Sequence, residues 1–342
     1  WTVDGEGKAM HKSLGNAVGP EEVIKDYGAD LLRLWVASAD YTQDMRISKE
    51  IMKQLSDAYL KIRNTARYML GSLNGFDPDA DSVAYADLTD LDKWALSRLN
   101  ELARTVRSYY NKYEFHGVYR SLYNFCVVDL SNFYFDIIKD RLYCGDAAGR
   151  RSAQTALYRI LDGMTRLVAP ILAFTSEEIW QAMPHDKTAD AECVLFNEMP
   201  DFDEALALPQ DQAQRWEAAM ALRTDVNKAL EIARGEKRIG KSLEAAVTLY
   251  FDGDEAQALW RGPLGGFDTH DLETICIVSH VDAVIGSGQG YQGEAVPGLT
   301  VQVEQASGAK CARCWMYNEH VGEDHDHPEL CPRCAAVVKA EQ

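Results

Sequence analysis

The stretch Phe133-Tyr-Phe-Asp-Ile-Ile-Lys-Asp-Arg141 shows the pattern that decides the fold of this chain. Its apolar residues recur at helical spacing, and this spacing continues on both sides, from about residue 49 to residue 183. The pattern predicts helices at about 49–73, 87–112, 115–143 and 149–182. Pro170 should break or kink the last of these helices, because proline cannot donate a helical hydrogen bond. Long helices with short connections predict an antiparallel helical bundle, and a chain that is mainly α.

The regions on either side of this bundle have different patterns. Near the amino end, a proline followed by two acidic residues predicts a helix over about 20–38. After a linker at 185–204, a long helix is expected at 210–235. Three short β-type runs follow it, at Ala245–Phe251, Thr274–Val278 and Leu299–Val303. They predict a small α+β domain after the bundle.

Composition and charge exclude several classes of protein. No apolar run approaches the roughly 18 residues that a membrane span requires, and the amino end lacks a signal-peptide pattern, so no membrane association is expected. The net charge of −18 argues against a general nucleic-acid binder, because phosphate contacts require positive charge. A large RNA bound through a few basic patches is still compatible with this charge. The stretch Arg223–Lys241 is one candidate patch, although a solvated helix face explains it equally well.

Four of the eight cysteines form two close pairs, Cys311-Ala-Arg-Cys314 and Cys331-Pro-Arg-Cys334, with sixteen residues between them. Each pair can present two thiolates to one ion, and a tetrahedral set of four suits zinc. We therefore expect one Zn²⁺ per chain, which would supply the folding free energy of a segment without its own core. Two disulfides or an iron–sulfur site are the alternatives. His320, His325 and His327, which lie between the pairs, are alternative ligands, although four cysteines favour solvated histidines. The other four cysteines are scattered, and such a mixture is typical of a reducing cytoplasm.

A loop near the amino end, Met10-His-Lys-Ser-Leu-Gly-Asn16, is the second candidate site. It resembles the K-M-S-K-S loop of class I aminoacyl-tRNA synthetases, and Lys12 occupies the position of the second lysine of that motif. Ala9 stands in place of the first lysine, and His11 replaces a serine. A solvated turn before the helix at Pro20 is the alternative interpretation.

The resemblance to this loop implies its chemistry. In these enzymes a carboxylate attacks the α-phosphate of ATP, and a loop lysine stabilises the negative charge that develops on the departing pyrophosphate. Lys12 is then the catalytic residue. The implied ATP-contacting residues are Ala9, Met10, His11, Lys12 and Ser13, and Mg²⁺ is expected together with ATP.

Further stretches extend the resemblance over essentially the whole chain. The segments 28–35, 64–70 and 133–141, followed by the four-cysteine module, resemble in this order the carboxy-terminal part of bacterial isoleucyl-tRNA synthetases. The fold class implied is a helical bundle of the anticodon-binding type, then a small α+β domain and a zinc module. The implied domains are residues 1–48 (end of the catalytic domain), 49–200 (helical anticodon-binding domain), 201–304 (α+β junction) and 305–342 (zinc-binding module).

The same resemblance implies the function of the parent protein. It would be a cytoplasmic, monomeric ligase that activates isoleucine with ATP and transfers it to tRNA(Ile). The sequence contains no H-I-G-H type motif, so this chain alone is expected to be inactive and to be a fragment. Arg46, Arg313 and Trp315 are the candidate tRNA contacts, since guanidinium and indole groups bind phosphate and stack on unpaired bases. A freestanding zinc-containing RNA-binding module without catalysis is the alternative function.

Overall fold

The computed structural model describes residues 1–341, and 57% of the chain is helical. It divides into two compact units. The first consists of Trp1–Asp136 and Ala148–Ala207, and the second consists of Ile137–Ala147 and the residues from Leu208 onward. Within residues 1–341, no helix combines the length and the apolar character that crossing a membrane would require.

Helices that cover most of residues 20–182 dominate the first unit and confirm the mainly α prediction. They are α1 (Pro20–Tyr27), α2 (Ala29–Ser38), α3 (Lys49–Ser72), α4 (Asp90–Asn111), α5 (Phe115–Asn124), a π-helical segment (Phe125–Tyr134), the start of α6 (Phe135–Cys144), α7 (Ala147–Val168) and α8 (Ala173–Ala182). Two short parallel strands, β1 (Thr2–Val3) and β2 (Met45–Arg46), pair near the amino end. Single 3₁₀ turns lie at Lys12–Leu14, Tyr85–Asp87, Val194–Phe196 and Glu204–Leu206.

Helix α7 is the central helix of the first unit and is buried on almost every side from Ser152 to Val168. Gly163 allows it to approach α4 closely, because a Cβ at this position would lie only 3.1 Å from the Leu99 side chain. The carboxylate of Asp92 on α4 is fully buried, and it accepts hydrogen bonds from Tyr134 (2.7 Å) and Ser152 (2.6 Å). This network joins α4, the π-helical segment and α7, and it satisfies a charge that would otherwise be costly to bury.

The predicted break at Pro170 is confirmed, and two residues of α2 stabilise it. Arg33 donates hydrogen bonds to the carbonyls of Pro170 (2.7 Å) and Ile171 (2.8 Å), which lie after the end of α7. The carboxylate of Asp30 accepts the backbone N–H of Thr175 (2.6 Å) and its hydroxyl (2.5 Å). A side chain from another helix therefore caps the first turn of α8, whose N–H groups have no partner within the helix.

The second unit contains a four-stranded sheet, several helices and a small hairpin. Its helices are α9 (Gln210–Gly235), α10 (Asp254–Arg261), α11 (Thr269–Cys276) and α12 (Pro332–Ala340), with 3₁₀ turns at Ser242–Glu244 and Pro263–Gly266. The sheet strands are β3 (Ala245–Phe251), β4 (His280–Ile285), β5 (Tyr291–Gln292) and β6 (Leu299–Gln305), in the order β4-β3-β6-β5. The hairpin pairs β7 (Ala309–Lys310) with β8 (Tyr317–Asn318).

Buried and partly buried residues alternate along β3, and this alternation shows how the sheet buries one face. Every second residue from Ala245 to Phe251 is buried, as expected for a strand with one face on a core. Strand β3 pairs in parallel with β4 and antiparallel with β6, so that Val247 faces Val281 on one side and Val303 on the other. Helix α9 packs against β6. The small α+β domain predicted from sequence is confirmed.

The strand predicted at Thr274–Val278 is wrong. Residues up to Cys276 belong to α11, and the strand of this region begins later, at His280. Asp268 and Asp271 form a reciprocal capping box that starts α11, and this local signal outweighs the β-branched composition. A short apolar run fits a buried helix face as well as a buried strand, so periodicity alone does not distinguish them.

The single helix predicted over about 20–38 is also wrong in detail. Gly28 has a φ of 88°, which ends α1 at Tyr27, and α2 begins at Ala29. The N–H of Gly28 still bonds to the carbonyl of Ile24 at 2.8 Å. Glycine adopts this backbone conformation at little cost. The helical spacing of apolar residues continues through Gly28, so it does not reveal that the helix is interrupted there.

Candidate functional site

The four clustered cysteines come together at one point, as predicted. The Sγ atoms of Cys311, Cys314, Cys331 and Cys334 all lie within 4.8 Å of one another, and those of Cys314 and Cys331 are 3.9 Å apart. Four sulfurs bound tetrahedrally at 2.3 Å from one zinc ion would be about 3.8 Å apart. All eight cysteines of the chain are free thiols, so no disulfide occurs among them. The donor set and its spacing fit a tetrahedral zinc ion.

Local backbone structure presents the two cysteine pairs to each other. The first pair follows β7, and the N–H of Trp315 bonds back to the carbonyl of Cys311 at 3.0 Å, which closes a tight turn. Trp315 itself has a φ of 66°, which is uncommon for a bulky side chain. The second pair spans the start of α12, where Pro332 occupies the first turn after Cys331. The positive end of the helix dipole there favours thiolates.

The protonation of the cluster already favours a metal-binding form. A hydrogen bond from Cys334 is the main cause that lowers the pKa of Cys314 to about 5, and the charge of Arg333 lowers it further. The same hydrogen bond, together with burial, raises the pKa of Cys334. These opposite directions favour the thiolate at Cys314 and the thiol at Cys334. Thiolates are the form in which cysteine binds zinc.

A fifth cysteine and a distant helix end complete the core of the zinc module, and sequence reasoning missed both. Cys144, near the end of α6, is buried together with the four zinc-site cysteines, and its thiol lies 3.5 Å from the carbonyl of Arg313. Asp140, one turn earlier on α6, forms a two-point ion pair with Arg333 at 2.5 and 2.7 Å. No local pattern predicts a pairing across 193 residues.

The structure places the two tRNA-contact candidates of the zinc module in different environments. Trp315 is exposed over 55% of its residue surface, and the ammonium groups of Lys241 and Lys310 each lie 5.6 Å from its ring centroid. The Arg313 side chain is only 19% exposed and lies 3.6 Å from a carboxylate oxygen of Glu341. An exposed indole with two cations near its ring suits stacking on a base whose phosphates lie nearby. The sequence analysis included Lys241 in a candidate basic patch without placing it beside Trp315, and it missed Lys310, which directly precedes the first cysteine.

The loop with the candidate catalytic lysine has an exposed tip. Lys12 begins a single 3₁₀ turn that ends at Gly15, whose φ is 66°. Among the described residues, no hydrogen bond or ion pair holds the Lys12 ammonium, whereas Lys8 is paired with Glu6 at 2.6 Å. The tip can therefore offer a free cation to a ligand.

The remaining loop candidates lie beside this tip. Ala9 pairs with Val3 in an isolated antiparallel bridge, and His11, Ser13 and the partly buried Met10 follow it. Arg46 is exposed on β2, and a Cβ at Gly7 would lie 3.3 Å from its guanidinium. Arg46 thus belongs to the surroundings of the loop in the first unit. Arg313 and Trp315 belong to the second unit.

Three family models match the chain. Residues 1–48 match the tRNA synthetases class I (I, L, M and V). Residues 92–249 match the anticodon-binding domain of tRNA ligase. Residues 308–337 match the zinc finger found in FPG and IleRS, and this segment contains all four cysteines of the cluster. The four-cysteine segment is therefore a zinc finger of that kind.

Curated isoleucine–tRNA ligases match almost the entire chain. The protein of Syntrophotalea carbinolica is 49% identical over 340 residues, that of Geobacter sulfurreducens 49% over 345, and that of Caldanaerobacter subterraneus subsp. tengcongensis 48% over 345. Each match covers 99% of this chain and 36% of the relative, so the chain spans about a third of the length of these proteins.

Among solved structures, the ternary complex of Agrobacterium radiobacter K84 agnB2 LeuRS with tRNA and LeuAMS matches at a TM-score of 0.49 and 16% identity. This match covers 74% of the present chain and 25% of the matched LeuRS chain. The sequence matches to curated ligases extend from the first strand to the zinc finger, and they correspond to a carboxy-terminal part of those enzymes. Over 99% of its length, the chain is thus similar to a carboxy-terminal part of isoleucine–tRNA ligases.

Proposed function

We propose that this chain is the carboxy-terminal part of an isoleucine–tRNA ligase, which activates isoleucine with ATP and transfers it to tRNA(Ile). The observation that carries this proposal is the 45–49% identity to isoleucine–tRNA ligases over nearly the whole chain. The parts present would supply an ATP loop and the surface that binds the tRNA around its anticodon. We propose that these parts are divided into four domains, at residues 1–48, 49–200, 201–304 and 305–342.

Lys12 has the role of transition-state donor in this proposal. Its ammonium is exposed and free of partners within the described residues, so it can reach the pyrophosphate oxygens when the loop closes over ATP and its Mg²⁺. The loop residues Ala9, Met10, His11 and Ser13 surround the nucleotide. Lys8 lies one residue before the position of the missing lysine, and its ammonium is paired with Glu6.

Recognition of tRNA is the role of the helical bundle and the zinc finger. The match of residues 92–249 to an anticodon-binding domain supports the first part, and the exposed indole of Trp315 supports the second. The chain carries a net charge of −18, so the lysines beside Trp315 matter as local positive charge. Arg46 and Arg313 are further candidate contacts. We further propose that the ligase is cytoplasmic and monomeric.

Replacement of Trp315 by alanine in the full-length ligase should weaken tRNA charging by roughly 1–3 kcal/mol, because one stacked base loses its platform. The rate of isoleucine-dependent pyrophosphate exchange, which needs no tRNA, should stay unchanged. Trp315→Phe is the matched control, since it keeps an aromatic face and should retain most of the charging activity. If both activities of Trp315→Ala fall together, the indole supports the fold of the zinc finger and does not bind RNA.

The function itself is tested by comparing this chain with the full-length protein. Alone, the chain should show no ATP–pyrophosphate exchange with any amino acid, because it lacks an H-I-G-H type motif. The full-length protein should show exchange that depends on isoleucine. Exchange by the chain alone above a mock purification would refute the fragment interpretation. A full-length protein that binds tRNA without any exchange would favour the freestanding RNA-binding module.

A further inference from the structure

One side chain, that of Asn16, closes the loop that carries Lys12. Its Oδ1 accepts the N–H of His11 at 2.9 Å. Its Nδ2 donates to the carboxylate of Asp4 at 2.9 Å and to the carbonyl of Ala9 at 3.2 Å. A single amide therefore joins three points of the chain that precede the tip or lead into it.

Asp4 extends this network on the opposite flank of the loop. Its Oδ1 accepts the N–H groups of Glu6 (3.0 Å) and Lys8 (2.9 Å). The hydrogen bond from Asn16 is the main cause that lowers the pKa of Asp4, and the backbone bonds lower it further. Both oxygens of this carboxylate are thus engaged in holding backbone or the Asn16 amide.

This hydrogen-bond network ends before the tip of the loop, which consists of Lys12, Ser13 and Leu14. All three residues are exposed, and Leu14 presents 69% of its surface to solvent. The loop consequently has a fixed frame, from Asp4 to His11, and a tip whose side chains are free. The two flanks of the tip are held at a set separation by hydrogen bonds and not by a packed core.

We propose that Asn16 and Asp4 form a latch that holds the flanks of the tip together, which makes Asn16 a positioning residue for Lys12. This inference rests on the ATP-loop function proposed above. Without the latch, the tip must be ordered around the departing pyrophosphate at a larger cost in conformational entropy. That cost falls on the step in which charge develops, so kcat decreases while KM for ATP changes little.

An exchange of the two side chains tests the latch in the full-length ligase. Asn16→Asp replaces the Nδ2 donor by an oxygen that faces the carboxylate of Asp4, and kcat for pyrophosphate exchange should fall about tenfold. Adding Asp4→Asn restores a donor and an acceptor in this pair, but not the bond to the Ala9 carbonyl, and should recover part of the loss. Hydrogen exchange at the amides of Lys8 and His11 should accelerate in the single variant and slow again in the double variant.

Asn197 provides a matched control, because it closes residues 190–197 in the same way. Its Oδ1 accepts the N–H of Asp190 at 2.8 Å, and its Nδ2 donates to the carbonyls of Asp190 (2.9 Å) and Cys193 (3.0 Å). Asn197→Asp should leave the exchange kinetics unchanged.

Two results would overturn the latch: a double variant no faster than Asn16→Asp, or unchanged amide exchange at His11 in the single variant. If Lys12→Ala lowers kcat for pyrophosphate exchange and Asn16→Asp does not, the latch is also refuted. The proposed function of the ATP loop would still stand. Normal kinetics in both variants would refute the ATP-loop function on which the inference rests.

Discussion

Lys12→Ala is expected to slow isoleucine-dependent pyrophosphate exchange by the full-length ligase about 10²- to 10³-fold, the loss typical of one transition-state donor. In this scheme the ammonium contributes little to ground-state binding, because it is exposed and has no partner among residues 1–341 before the loop closes. KM for ATP should therefore change much less than kcat. Steady-state exchange kinetics over a range of ATP concentrations separate the two parameters.

Lys8→Ala is the appropriate comparison for this variant. Lys8 carries the same charge four residues earlier, but its ammonium already contacts Glu6 at 2.6 Å. Both residues are exposed, and surface ion pairs contribute little to stability, so neither variant should unfold. Lys8→Ala should have a small effect. A loss under about threefold for Lys12→Ala, or an equal loss for both variants, would remove Lys12 from the reaction.

Cys331→Ser is expected to abolish zinc binding and to unfold the zinc finger. In small zinc peptides the metal supplies on the order of 10 kcal/mol of folding free energy, and this segment has little other core. The effect should extend beyond the finger, because Cys144 and Asp140 of α6 share its core and its ion pair. Elemental analysis and hydrogen exchange should show zinc loss and faster exchange in residues 308–337 and at the end of α6.

Cys193→Ser serves as the control for this experiment. Cys193 is half-buried in the first unit, outside the cluster, and its replacement should leave the zinc content at one ion per chain. Retention of zinc by Cys331→Ser would contradict the four-thiolate site. Unchanged exchange at the end of α6 would show instead that the finger folds independently of that helix.

Much of the fold follows from local patterns, because the decisive interactions there are local. Helix α9 has the predicted bounds, since apolar residues recur at helical spacing from residue 210 and stop at a glycine. The break at Pro170 follows from the missing N–H of proline. The strand predicted at 274–278 failed because a capping box at Asp268 set the local structure, and the apolar run itself was neutral between helix and strand.

In the candidate sites too, features set by nearby residues could be predicted from the sequence, and features set by tertiary packing could not. The spacing of two C-x2-C pairs is a local signal, and it predicts which four sulfurs converge. The position of Lys241 beside Trp315, and that of Cys144 beside the zinc site, depend on tertiary packing between segments far apart in the chain. The Asn16 latch lies within a short segment, yet side-chain amide geometry is not encoded in composition or periodicity.

The membership of residues 137–147 in the second unit has a consequence for synthesis on the ribosome. The end of α6 emerges early, but its ion-pair partner Arg333 follows Asp140 by 193 residues. At 5–20 residues per second, this interval lasts roughly 10–40 s. Once Ala207 has been added, the first unit is complete in sequence, but Cys144 and Asp140 still lack the residues that cover them in the second unit. The carboxy-terminal end of α6 therefore stays uncovered on the nascent chain until the zinc finger has been made.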